Sequence, residues 1–177
     1  MEALYDIVRV GRVKQLGACD LYAYQFMKAQ ETARIRHWRR FVSMQSQYYV
    51  LYREDEREPL KMLQEEKVSF MSYLGAAAEK ICLFRQCGFS EDAARAGQEK
   101  DADHSILLRM QELAQRHAAT MLQIALAWLY AKQEVAAPVL RVKDTAELDE
   151  VAAAVKIKLN EEEIRYLEEL YVPHRMP

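Results

Sequence analysis

The sequence predicts a parallel α/β fold made of four βα units. Four short apolar runs, each with at least one valine, alternate with segments of helical period, the pattern of strands joined by crossover helices. Five Gly and four Pro in 177 residues leave little room for long linkers. At 51% hydrophobic and 29% charged, the chain can bury one core and is too apolar for disorder.

The first strand is expected at Val13 to Cys19, "VKQLGAC". Residues 21–36 then place Tyr22, Phe26, Ala29, Ala33 and Ile35 near one helical face. The second strand is Arg40 to Gln45, "RFVSMQ", whose polarity changes at Gln45. Residues 53–66 are charged and interrupted by Pro59, which must kink a helix or begin another. The third strand is Lys67 to Ser72, "KVSFMS". After it the rhythm breaks. The stretch 75–105 contains the polar, small and acidic "EDAARAGQEKDADHS" and is expected as an excursion ahead of a helix at about 104–117.

"ATMLQIALAWLYAK" opens with Thr120 and Gln123 at capping-box spacing and buries Leu122, Leu126 and Leu129. The fourth strand is Ala137 to Val142, "APVLRV". "NEEEIRYLEEL" closes the pattern as an extra C-terminal helix, with Asn160 as N-cap, three glutamates in the first turn and Ile164, Leu167 and Tyr171 as its stripe. The whole of residues 1–177 is expected to form one domain, with a variable excursion at about 76–105.

Charge narrows the function classes. With 25 basic and 27 acidic residues the net charge is −2, and no global field favours nucleic acid or an anionic membrane. "RIRHWRR" (Arg34 to Arg40) is read as a solvated helix end. No apolar run approaches the roughly 20 residues of a membrane span, and the N-terminus lacks the apolar segment of a signal peptide. Three cysteines support neither a disulfide framework nor a zinc site. Asp103–His104 has no third ligand in sequence, so no metal is expected. A cytoplasmic protein is the expectation.

In parallel α/β folds ligands sit at the carboxyl ends of the strands, where the βα loops converge. Those ends carry Cys19 and Asp20, then Gln45, Gln47 and Tyr48, then Ser72 and Tyr73, then Arg141 and Lys143. A small-molecule ligand on this rim is the expectation.

Three segments, "FVSMQSQYYVLYREDERE", "QIALAWLYAKQEVAAPV" and "IKLNEEEIRYLEELYVPH", resemble the C-terminal half of the aldo/keto reductases, an NADPH-dependent (β/α)8-barrel family. "VGRVKQLGACDLYAYQF" resembles the same family's Gly-Lys-x-Arg-x-Ile-Gly-x-Ser-Asn-Phe segment. The resemblance covers nearly all of the chain outside about 76–105, and it implies a truncated, TIM-barrel-like (β/α)4 half barrel. The family's Tyr-Lys-His-Asp proton-transfer set lies in the other half, so no position here can receive it.

On the cofactor side, the resemblance implies edited contacts. The Ser-Asn pair that holds the nicotinamide amide falls on Cys19 and Asp20, and the Gln of the next strand on Gln45. The aromatic that stacks on the nicotinamide falls on Met71, followed by Ser72 and Tyr73. The segment that cradles the 2′-phosphate becomes Arg141-Val142-Lys143-Asp144, with Asp144 in place of its lysine. A carboxylate beside a phosphate costs about 1 kcal/mol or more at an effective dielectric near 20. No bound cofactor is therefore expected; NADP(H), which the family implies, would have degraded contacts, with Arg141 and Lys143 still able to reach a phosphate.

Two functional expectations follow. One is non-redox acid/base chemistry on a small organic molecule (isomerisation, cyclisation or dehydration), with Asp20, Tyr48, Tyr73 and Lys143 as the proton-transferring groups. The other is a non-catalytic subunit that binds a partner, or an NADPH-dependent oxidoreductase half completed in trans. Four βα units cannot close an eight-stranded barrel, so a homodimer or a half-barrel partner is expected. Alternatively the helix at 120–132 or the 75–105 excursion covers the gap.

Overall fold

The computed structural model describes residues 1–74, 81 and 101–174. The excursion expected at about 76–105 falls outside them except for Ile81 and residues 101–105, which belong to a helix. In chain order the described elements are α1 (Glu2–Arg9), β1 (Leu16–Cys19), α2 (Ala23–Ile35), β2 (Phe41–Gln47), a 3₁₀ turn (Glu54–Glu56), α3 (Pro59–Glu65), β3 (Ser69–Tyr73), α4 (Asp101–Arg116), α5 (Met121–Ala131), β4 (Val135–Val139), α6 (Thr145–Ala153), a second 3₁₀ turn (Ala154–Lys156) and α7 (Glu161–Glu168).

β1 to β4 form a single sheet in the order β1-β2-β3-β4, and every pairing is parallel. This is the predicted half-barrel pattern, with each strand shifted by a few residues. Lys67, at φ 56°, completes the turn that ends α3, which delays the third strand until Ser69. At the fourth, Arg141 to Lys143 are an exposed loop rather than strand. Helix α1 was not anticipated; it closes where the Val13 N–H reaches the Ile7 carbonyl.

Alternation along the strands separates two faces. Leu16, Ala18, Met44, Ser46, Phe70 and Ser72 are buried against the helical layer. Its centre is Trp128, Tyr48, Phe26, Phe70 and Met44. Helix α5 belongs to this layer, because its Trp128 packs on Tyr48 and Tyr48 on Phe70 (centroids 5.4 and 5.6 Å). It therefore does not cover the opposite face.

That other face carries three registered rows. Gly17, Ser43 and Ser69 form the first, Cys19, Gln45, Met71 and Ala137 the second, and Gln47, Tyr73 and Val139 the third. A Cβ at Gly17 would stand 2.6 Å from Ser43 Oγ, so a larger residue there would make the Ser43 hydroxyl rotate away. These residues are exposed or half-buried, and among the described residues no strand pairs with the outer edge of β1 or β4.

Local side chains fix the ends. Thr120 accepts the Gln123 N–H (3.2 Å) and Asn160 the Glu163 N–H (2.9 Å), both in capping boxes. Pro59 sits in the first turn of α3, so the charged run divides there into two pieces. Buried Gln30 of α2 holds both backbone groups of Phe41: the Phe41 N–H donates to its Oε1 (2.8 Å) and its amide donates to the Phe41 carbonyl (3.1 Å). Among the described residues no helix is long and apolar enough to cross a membrane.

Candidate functional site at the carboxyl rim

The carboxyl ends of the strands bring Cys19, Asp20, Gln45 and Met71 together. Cys19, Gln45 and Met71 are register neighbours on the open face. The Cys19 thiol donates to Asp20 Oδ2 (3.1 Å), and the Gln45 amide approaches the same sulfur at 3.9 Å. Asp20 is left-handed (φ 49°), a conformation that Asp tolerates better than most residues. Its N–H still reaches the Gln45 carbonyl (2.9 Å), extending the ladder one step while the chain turns into α2. Partial burial, then the bond to Asp20 and its charge, pushes the Cys19 thiol up from its ordinary range. That shift works against a nucleophilic thiolate.

The other expected rim residues disperse. Tyr73, 39% exposed, stands on the open face in register with Gln47 and Val139. Ser72 faces the covered side, fully buried, and its hydroxyl donates to the Tyr48 carbonyl. Tyr48 also leaves the rim. Its ring lies between Phe70 and Trp128, and its hydroxyl donates to Glu56 (2.7 Å). Burial, then the bond to Glu56 and its charge, drives this phenol far above its ordinary range. The alternation of β2 carries one residue past its end: Tyr48 follows Met44 and Ser46 onto the covered face, a period-2 signal that could have found it.

Arg141 and Lys143 are exposed beyond β4. The next residue, Asp144, is the N-cap of α6 and accepts the Glu147 N–H (2.8 Å), while Glu147 accepts the Lys143 N–H. Two carboxylates of the chain thus occupy this helix start.

Several buried polar groups escaped the sequence reading. Glu54, 2% exposed, accepts the Tyr171 hydroxyl and the His174 N–H, both at 2.7 Å, and pairs with Arg57 (3.1 Å). The His174 ring lies 3.2 Å from Asp103 and packs against Tyr52 and Tyr171. Asp55, 8% exposed, sits by Ser46; burial first, then the charges of Asp20 and Glu54, raises its carboxyl above the usual range despite the Ser46 bond. Within "REDERE" nothing in composition separates these carboxylates from a solvated charge run. Among the described residues no group of three or more metal-ligating side chains gathers. A cleft of about 320 Å³ between Tyr48, Glu56, Lys61, Gln64, Lys132 and Glu134 lies on the covered side, with Lys132 paired to Glu56 and Glu168.

Four parallel strands in the order β1-β2-β3-β4, joined by helices, form part of a (β/α)8-type barrel. The family model of the aldo/keto reductases matches residues 1–172, and the chain belongs to that family. It is 35% identical over 180 residues to an aldo-keto reductase of Fusarium vanettenii, across 98% of this chain and 48% of the relative. It is 32% identical over 181 residues to the versiconal hemiacetal acetate reductase of Aspergillus parasiticus, across 98% and 52%. Among solved structures it is similar to a thermostable aldo-keto reductase bound to the inhibitor epalrestat, with a TM-score of 0.65, 28% identity, and coverage of 96% of this chain and 53% of that one. The chain thus spans about half the length of the relatives it matches.

The family implies NADP(H), and the rim fits it at one end. Gln45 presents an amide on the open face, with Met71 as an apolar neighbour. The phosphate end does not fit. Asp144 holds the Glu147 N–H at the α6 start and Glu147 the Lys143 N–H just before it, and both add negative charge where an anion would sit.

Proposed function

We propose that this chain is the cofactor-facing half of an aldo/keto-reductase-type site that keeps a nicotinamide platform and has lost its grip on the 2′-phosphate. The observation that carries this reading is the α6 start, where Asp144 and Glu147 cap the helix from within. The registered row of Cys19, Gln45 and Met71 supports the retained platform. The chain's own residues bind and orient in this reading. Proton transfer to a carbonyl would come from groups other than Tyr48, whose ring lies between Phe70 and Trp128 and whose hydroxyl is bound to Glu56.

Calorimetric titration with NADPH and NADH tests this. The expected result is weak binding of both, with affinities within a few-fold of each other. A preference for NADPH of 100-fold or more would overturn it. Absence of binding by either nucleotide would favour a second reading, a rim released from redox work. Asp20 would then be its proton-transferring group, because its carboxylate stands at the carboxyl end of β1, where it accepts the Cys19 thiol. A metabolite screen with Asp20→Asn as control addresses that reading.

A further inference from the structure

The basic run Arg34 to Arg40 lies where α2 gives way to β2, and of its arginines only Arg34 is on the helix. The helix closes in a paired turn. Left-handed His37 (φ 54°) donates its N–H to the Arg34 carbonyl (3.2 Å), and the Trp38 N–H reaches the Ala33 carbonyl (2.8 Å). The neighbouring α3 ends in the same way, with the Lys67 N–H (φ 56°) on the Gln64 carbonyl (3.1 Å) and that of Val68 on Leu63 (2.9 Å). Backbone bonds therefore fix both segments. The registers Leu16↔Phe41 and Ser43↔Ser69 then set Lys14, Arg39 with Arg40, and Lys67 side by side at the amino ends of β1, β2 and β3. With strands about 4.8 Å apart, that row spans roughly 10 Å.

A cleft of about 340 Å³ opens here between Trp38, Arg39, Arg40, Val42, Glu66 and Lys67. Trp38 is half-buried, stacks on Tyr5 of α1 (centroids 6.1 Å, planes 22° apart), and has exposed Arg36 over its ring at 6.0 Å. The carboxylates of α1, of α2 and of the α3 end are Glu2, Asp6, Glu31, Glu65 and Glu66. Asp6 pairs with Arg9, Glu31 with Arg34 and Glu66 with Arg40. That leaves Glu2 and Glu65 against Arg12, Lys14, Arg36, Arg39 and Lys67, all exposed and, among the described residues, joined to no carboxylate. Glu134, just before β4, ends the basic row at the third strand. The helix dipole accounts for a cation in a last turn, and Arg39 and Lys14 lie beyond it. The chain's net charge of −2 conceals this segregation.

We propose that the groove at the amino ends of β1 to β3 binds single-stranded nucleic acid. Phosphates lie along Lys14, Arg39 and Lys67, and a base stacks over Trp38 in the place that Arg36 holds. A row of cations longer than one phosphate, beside an aromatic ring, suits a strand of alternating charge and π-face. An acidic peptide would meet the cations and leave the ring unused. The groove is at the opposite end of the strands from Cys19, Gln45 and Met71, so the proposal does not rest on the nucleotide reading.

Fluorescence anisotropy of a labelled oligouridylate of about 12 nucleotides tests it. With about three phosphates neutralised, affinity should fall roughly 20-fold between about 50 and 200 mM salt. Arg39→Glu with Lys67→Glu, at exposed sites outside any ion pair, should weaken binding about tenfold or more and keep the parent's circular dichroism spectrum. Trp38→Leu should weaken it roughly tenfold and leave the salt dependence unchanged. Arg141→Glu with Lys143→Glu, at the other end of the sheet, should bind as the parent does. Any of four results would overturn the proposal: no binding at about 100 μM protein in low salt, groove variants that bind like the parent, equal loss in the Arg141 and Lys143 variant, or equal competition by an oligoglutamate of the same charge.

Discussion

Glu54 and Glu56 illustrate how single carboxylates hold the turn behind the rim. Burial works against the charge on each. For Glu54 the bonds from the Tyr171 hydroxyl and the His174 N–H, with the charges of Arg57 and His174, outweigh it. For Glu56 the bonds from Arg53 and Tyr48, with the charges of Arg53 and Lys132, do the same. Both carboxyls are held below the usual range, so their stabilisation is present above the ordinary glutamate value of about 4.3 and is lost as pH falls through the folded value. Urea unfolding between pH 7 and pH 3 should show the parent losing stability on acidification, and Glu54→Gln showing a shallower loss from a lower start. Asp55 has the opposite sign. Its raised carboxyl stands against Asp20 and Glu54, so Asp55→Asn should stabilise the protein at pH 7, by about 0.5–1 kcal/mol. Tyr48→Phe removes the bond to Glu56, costs about 1 kcal/mol, and should leave nucleotide titrations unchanged. A changed titration would place Tyr48 back on the rim.

At the scale of elements, caps and faces were largely legible and side-chain bridges were not. Thr120–Gln123 and Asn160 announce helix starts because hydroxyl and amide oxygens accept exposed N–H groups at fixed spacing. Pro59 announces the division of the charged run for the same local reason. Gln30 could not be read this way. A buried glutamine on a helical face looks like an error in the apolar pattern until Phe41, 11 residues away, supplies its partners. Gln30→Leu should leave two buried backbone groups unsatisfied and cost on the order of 2–3 kcal/mol in chemical denaturation. Ile35, expected on the buried stripe of α2, is 62% exposed because the helix ends there and the stripe runs out of sheet to cover. Asp144 was read from its position as a phosphate-repelling charge, and its bond to the Glu147 N–H adds a structural duty. Asp144→Lys should therefore cost about 1 kcal/mol of stability through the lost cap while raising affinity for NADPH over NADH several-fold. A stable variant with an unchanged nucleotide ratio would separate those two duties against this account.

For the whole molecule, the parallel sheet was legible because strand and helix alternate so regularly, and its open face was legible in part. Gln45 and Met71 fall on that face by period alone, and the same period puts Tyr48 with Met44 and Ser46 in the core. Pairings across the length of the chain were beyond reach. Tyr171 and His174 meet Glu54 from 117 and 120 residues away, and His174 finds Asp103 across the tail. Their partners share no pattern that a window along the sequence could detect. That tail clasp has a bearing on how the molecule is made. A ribosome delivers all four strands before it delivers the side chains that fasten the β2–α3 turn. The sheet and most of its helical layer can assemble while synthesis continues, but the loop behind the rim settles only once residue 174 has been made. The turn that follows β2 is thus fastened after the strands on either side of it.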